Sequence, residues 1–142
     1  MVTKTIVLTV LSFVLQSGAS FAQQCLHENG EAPEQQARRK EALAAARMIN
    51  TIQHNRPEAR NGVFLTPEGL ATLRADVMPD SRNPTMQRLS FAPDTDVIPG
   101  WRLSLELTQT GYWFAIKDVT DPCGFSYISN TSGLIYNAQP IR

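Results

Sequence analysis

The chain has 142 residues with 13 basic and 13 acidic side chains, so its formal net charge is zero. A near-neutral surface argues against an electrostatic grip on nucleic acid or on anionic lipid. This length suits one domain with a modest hydrophobic core.

The first part of the chain, Met1–Ala22, is typical of a secretory signal peptide. Lys4 is its only charged residue, an apolar run follows over Thr5–Leu15, and small residues, Ser20 and Ala22, occupy the −3 and −1 positions of the cleavage site. We expect cleavage before Gln23, which leaves a single domain over residues 23–142 in the periplasm or outside the cell. The alternative is an uncleaved membrane anchor, but a spanning helix needs about 20 apolar residues and this run is far shorter.

The two cysteines, Cys25 and Cys123, are the only ones in the chain. Disulfides persist in the oxidising environment that an exported protein meets. We therefore expect a Cys25–Cys123 disulfide, which would stabilise a domain of this size. Free or intermolecular thiols are the alternative.

A helix is predicted from Pro33 to about Asn55. Pro is tolerated in a first helical turn, and Gln35–Asn55 contains neither Gly nor Pro and many strong helix formers. Apolar residues recur three or four apart and form one stripe that can cover a sheet: Ala42, Ala45, Ile49 and Ile52.

The middle of the chain predicts a second, short helix and then an irregular loop. Thr66-Pro67-Glu68 combines an N-cap, a first-turn proline and a first-turn acid, so the helix should run to about Arg74. Val77–Gly100 contains four prolines and little periodicity, with a possible short strand at Arg88–Phe91.

Four strands are predicted after this loop. Trp101–Thr108 alternates apolar and polar residues, and three more β-prone runs follow at Tyr112–Ile116, Phe125–Ile128 and Leu134–Tyr136. The expected fold class is α+β, with the long N-terminal helix packed on a four-stranded antiparallel sheet.

Aromatic side chains are concentrated in the predicted sheet. Because neighbouring strand residues face opposite ways, some of these rings should reach solvent and could bind a protein partner or a glycan. Trp113, Tyr127 and Tyr136 are the candidate interaction surface. The alternative is that most of the rings lie beneath or beside the helix.

Catalytic and metal-binding patterns are weak. His27 and His54 are the only histidines, neither has a second ligand at a usable spacing, and we expect both to be solvated. Asp118 and Asp121 bracket a strand end and suggest calcium, but they are too few for a full coordination shell. The G-x-S-x-G nucleophile motif is missing. We expect no catalytic residues, no cofactor and no metal, and therefore no enzyme.

Two stretches resemble the type IV pilins and the pseudopilins of type II secretion. Ala46–Gln53 is similar to the segment where their long first helix lies on the globular head, and Phe125–Tyr136 is similar to their closing hairpin. The resemblance implies a helix across a four-stranded sheet, a pilin-like head, and assembly instead of catalysis. The prepilin cleavage motif is missing from Met1–Gln24, so we expect a secreted soluble head more than a filament subunit.

The predicted function is that of an exported, non-catalytic interaction or assembly module of the bacterial cell envelope, with a protein partner. One alternative is a small periplasmic hydrolase or ligand-binding domain that uses the 77–100 loop as a lid. Its pocket would be lined by His54 or by Asp94 and Asp96. A membrane-anchored minor pilin with an uncleaved N-terminus is a further alternative.

Overall fold

The computed structural model describes residues 25–27, 30–77, 88–92 and 95–139. The expected signal peptide, Met1–Ala22, and much of the expected lid at 77–100 therefore lie outside the described residues. Within the described ranges, no helix is both long enough and apolar enough to cross a membrane.

The described chain is a pair of α-helices followed by an antiparallel meander. The helices are α1 (Pro33–Asn55) and α2 (Pro67–Val77), with a 3₁₀ turn at Pro57–Asn61 between them. The strands are β1 (Asp96–Ile98), β2 (Trp101–Thr108), β3 (Gly111–Asp118), β4 (Ser126–Asn130) and β5 (Ile135–Ala138). Their order in the sheet is β1-β2-β3-β4-β5, so each strand pairs with its neighbours in sequence.

The predicted fold, a long N-terminal helix over the four-stranded sheet of a pilin-like head, is wrong. The sheet has five strands, and the longer helix has 23 residues and begins only at Pro33. The additional strand, β1, lies in the stretch that was predicted to be irregular. A three-residue strand that ends just before Pro99 is too short to show a period, and its pairing with β2 through Arg102 and Trp101 is not visible locally.

The apolar stripe of α1 covers one face of the sheet. Ala42, Ala45, Ala46 and Ile49 are fully buried, and the helix contacts β4 and β1. The small alanine side chains let the axis of α1 approach the strands closely. The helix and the sheet therefore share one hydrophobic core. We call this covered side of the sheet the inner face and the opposite side the outer face.

Large aromatic and aliphatic side chains fill the inner face. The register pairs Leu105 with Phe114 and Ile116 with Tyr127, so alternate residues of β2, β3 and β4 point towards α1. The loop before β1 and helix α2 close the remaining sides of this core with three buried side chains: Leu70, Leu89 and Phe91.

A buried hydrogen-bond cluster attaches α1 to the β4–β5 hairpin. The Asn50 amide donates to Ser129 Oγ at 2.9 Å and to the Gly133 carbonyl at 3.0 Å. The Tyr112 hydroxyl donates to Asn50 Oδ1 at 3.0 Å, and the Ser129 hydroxyl donates to the Leu134 carbonyl at 2.7 Å. Burial raises the pKa of Tyr112 to about 12, so this phenol remains a donor over the whole physiological range.

Candidate functional site

A disulfide joins the start of the described chain to the loop between β3 and β4. Cys25 and Cys123 are bonded, with their Cα atoms 5.2 Å apart. The predicted disulfide is therefore confirmed. Such a bond is compatible with an oxidising compartment outside the cytoplasm.

His27 is buried beside this disulfide, with only 7% of its surface exposed. Its Nε2 lies 2.9 Å from Asp118 Oδ2, and its Nδ1 contacts a carboxylate oxygen of Glu31. Arg39 forms a further ion pair with Glu31 at 2.9 Å. The prediction that His27 is solvated is wrong, because Asp118, 91 residues away in sequence, supplies a buried partner.

The carboxylate of Asp118 accepts hydrogen bonds from groups within the protein. It accepts hydrogen bonds from the Thr120 backbone at 2.8 Å and from the Thr120 hydroxyl at 2.6 Å, in addition to the contact with His27. Burial by itself would raise the pKa of the Asp118 carboxyl, but the hydrogen bonds from Thr120 and His27 outweigh it and hold the pKa below its usual value.

Asp121 fastens the N-terminal segment and the β3–β4 loop to each other. Its carboxylate accepts backbone N–H groups from Leu26 at 3.0 Å, Cys123 at 3.1 Å and Phe125 at 3.0 Å. Burial opposes ionisation here too, yet the three N–H donors lower the pKa of Asp121. The two aspartates thus hold the chain together at the same point as the disulfide.

The internal donors occupy the oxygens that a calcium ion would need. Within the described residues, no three His, Cys, Asp or Glu side chains are grouped so that they could hold a metal. The His27 ring also packs against two aromatic rings. Its centroid lies 5.4 Å from that of Trp101 and 4.7 Å from that of Phe125. This cluster orders the N-terminal segment at this end of the sheet.

Two of the side chains expected to line the pocket of a hydrolase, His54 and Asp96, lie within the described residues but far apart. The exposed His54 packs its ring 6.0 Å from Tyr112, which pairs with Leu107 at one end of β2. Asp96 pairs with Arg102 at the other end of β2, where it accepts the backbone N–H of Gly100 at 2.8 Å. His54 and Asp96 are therefore separated by the length of the strand, and Asp94 lies outside the described residues.

Two of the three residues of the predicted interaction surface lie on the outer face of the sheet. Trp113 is half-buried there, and Tyr136 is 54% exposed. Tyr127 is only 3% exposed and faces the core, so its assignment to the surface is wrong. Its neighbour Ile128 takes the outward position instead, 38% exposed and directly opposite Tyr136.

The register places these side chains in adjacent rows across the outer face. Ser104, Ala115, Ile128 and Tyr136 form the central row, and Glu106, Trp113 and Asn130 form a second row beside it. We call the set Trp113, Ala115, Ile128 and Tyr136 the outer patch. On the far side of the central row, Arg102 pairs with Lys117 and both are exposed. The outer patch is thus bounded by basic side chains on one side and by Glu106 on the other.

The sequence carries no local signal that singles out Ile128 as the outward residue, because its direction follows from the pairing of β4 with β3. Tyr127 and Ile128 are adjacent, and pairing Ile116 with Tyr127 sends Tyr127 inwards and Ile128 outwards.

Comparisons with known protein families, with curated proteins and with solved structures find no match to this chain. The resemblance to type IV pilins and pseudopilins therefore stays a prediction.

Proposed function

We propose that this chain is an exported, non-catalytic interaction module of the cell envelope, and that its outer patch binds a protein partner. The observation that carries the proposal is the neighbouring placement of Trp113, Ile128 and Tyr136 on the sheet face opposite the one that α1 covers. Contiguous exposed apolar side chains with a polar rim mark interaction sites, and aromatic residues are enriched in them.

The other face of the sheet cannot serve this purpose. It is covered by α1, and its rings, such as Phe114 and Tyr127, are buried in the core. A partner therefore cannot reach these rings. The residues of the outer patch belong neither to the buried core nor to the partly buried apolar side chains packed against it, so a role in packing α1 does not explain them. Apolar side chains at positions without a packing role favour an interaction role.

Export is supported by two independent observations. Met1–Ala22 has the pattern of a secretory signal, and the Cys25–Cys123 disulfide is the kind of bond that forms and persists outside the cytoplasm. The sequence resemblance to pilins and pseudopilins adds support for assembly in the envelope.

The arrangement of titratable groups supports a non-catalytic role. His27 and Asp118 are enclosed by internal partners, and His54 has no described carboxylate beside it. General acid–base chemistry needs a positioned group that a substrate can reach.

Site-specific photo-crosslinking in the native cell tests this proposal. A photoreactive amino acid at Tyr136 should give crosslinked products, because this side chain lies in the outer patch. The same amino acid at Val63, which is equally exposed at 54% and lies between the 3₁₀ turn and α2, is the matched control and should give no crosslinked product. Equal yields at the two positions, or no product at Tyr136, would refute the proposal.

A further inference from the structure

The charges around the outer patch are placed symmetrically about its central row. On β2, Arg102 and Glu106 lie two residues to either side of Ser104, and all three point outwards. On β3, Lys117 and Trp113 lie two residues to either side of Ala115 in the same two rows. One flank therefore carries two basic side chains, of which Arg102 also forms an ion pair with Asp96 at 3.5 Å. The other flank combines an acid with an electron-rich ring.

We propose that the partner of the outer patch is a second copy of this chain, docked face to face about a two-fold axis. The inference rests on the proposed function and names the partner of that same surface. A two-fold interface uses one patch on both subunits, so the patch must be complementary to itself. The arrangement of charges on the outer face meets this requirement.

The register defines the axis. A two-fold axis along the central row, perpendicular to the strands, exchanges the two flanking rows and keeps each strand over its own copy. It brings Arg102 over Glu106 of the second copy, and Glu106 over the second Arg102. It also brings Lys117 over the ring of Trp113 of the second copy, which is a favourable cation–π arrangement.

The residues on the axis meet their own copies. Ile128 faces Ile128 and Tyr136 faces Tyr136, so apolar surface is buried against apolar surface in the middle of the interface. Face-to-face packing of two twisted sheets is an established way to bury such faces. An unrelated partner would not require opposite charges at equal spacing from the centre, whereas a second copy does.

Charge exchange gives the sharpest experiment. Sedimentation velocity of the purified exported protein over a concentration series should show a monomer–dimer equilibrium. R102E and E106R should each weaken dimerisation by about tenfold or more, because the symmetry turns two attractive contacts into two repulsive ones. The double variant R102E/E106R should restore dimerisation, because the pair is re-formed with its charges exchanged.

Two further variants separate docking from folding. I128S should abolish the dimer, and V63S, which changes an apolar residue exposed away from the patch, should retain it. Unchanged circular dichroism of I128S establishes that the loss is not unfolding. A protein that is monomeric at every concentration, or a double variant weaker than either single one, overturns the inference. If Tyr136 nevertheless crosslinks to another protein in cells, the proposed function survives without a self-partner.

Discussion

Replacing Asn50 with Ala tests how α1 is held on the terminal hairpin. The substitution removes the partner of the buried Tyr112 hydroxyl and of the partly buried Gly133 carbonyl, while Ser129 keeps its bond to Leu134. An orphaned buried polar group costs about 1–3 kcal/mol, with the partly buried one at the low end, so the free energy of unfolding should fall by about 2–4 kcal/mol.

Thr51 supplies the matched control on the same helix. Its side chain is exposed and bonds only to the Arg47 carbonyl one turn back. Thr51→Ala should therefore change the free energy of unfolding by no more than about 0.5 kcal/mol. A similar loss in both variants would mean that the hydrogen-bond cluster does not explain the effect, because Ala has a higher helix propensity than either Asn or Thr and propensity alone predicts no loss.

Urea unfolding followed by tryptophan fluorescence provides the measurement. A double-mutant cycle with Tyr112→Phe isolates the hydrogen bond that the two side chains share. The losses from Asn50→Ala and Tyr112→Phe should be non-additive by about 1 kcal/mol, since either change alone removes that bond. Strictly additive losses would refute the reasoning, because they would show that the phenol and the amide act independently.

Three further predictions concern the disulfide and the titrating groups. Replacing Cys25 and Cys123 with Ser should lower the free energy of unfolding by about 4–5 kcal/mol in the chain-entropy model for a separation of 98 residues, as measured in urea. The contribution of Tyr112 to stability should fall by about 2 kcal/mol between pH 10 and 12, because unfolded tyrosine ionises near 10.0 whereas folded Tyr112 does so at about 12. Tyr112→Phe should flatten this slope. Stability should also fall as acid protonates Asp118, beginning near pH ~4 where the unfolded carboxyl titrates and continuing through its lower folded pKa; an unchanged acid limb in Asp118→Asn would contradict this.

The alternation of apolar and polar residues predicts a strand correctly where the strand is long and has one face in solvent. The alternation over Trp101–Thr108 located β2, and the inward residues Trp101, Leu103 and Leu105 are buried or half-buried as that pattern requires. In β4 the same rule gave no direction, because Tyr127 and Ile128 are both apolar. Only the long-range pairing with β3 decides which of them enters the core.

Long-range partners also explain why the buried cluster could not be read from spacing. Glu31 follows His27 by four residues, so this contact is within local reach. Asp118 and the rings of Trp101 and Phe125 are brought to His27 only when the disulfide segment docks against the end of the sheet. A histidine without a local metal pattern is therefore not necessarily a solvated one.

The disulfide divides the fold into a covalent ring and a tail. Residues from Cys25 to Cys123, including both helices and the first three strands, lie inside the ring, whereas β4 and β5 lie beyond it. A single protease cut in the exposed turn Pro57–Asn61 would leave both fragments tethered. A cut between Cys123 and Phe125 would instead release the last two strands, and with them Tyr136. The disulfide therefore protects the two parts of the fold unequally against a single cut. After a cut beyond Cys123, only non-covalent contacts would hold β5, the strand that carries the exposed Tyr136.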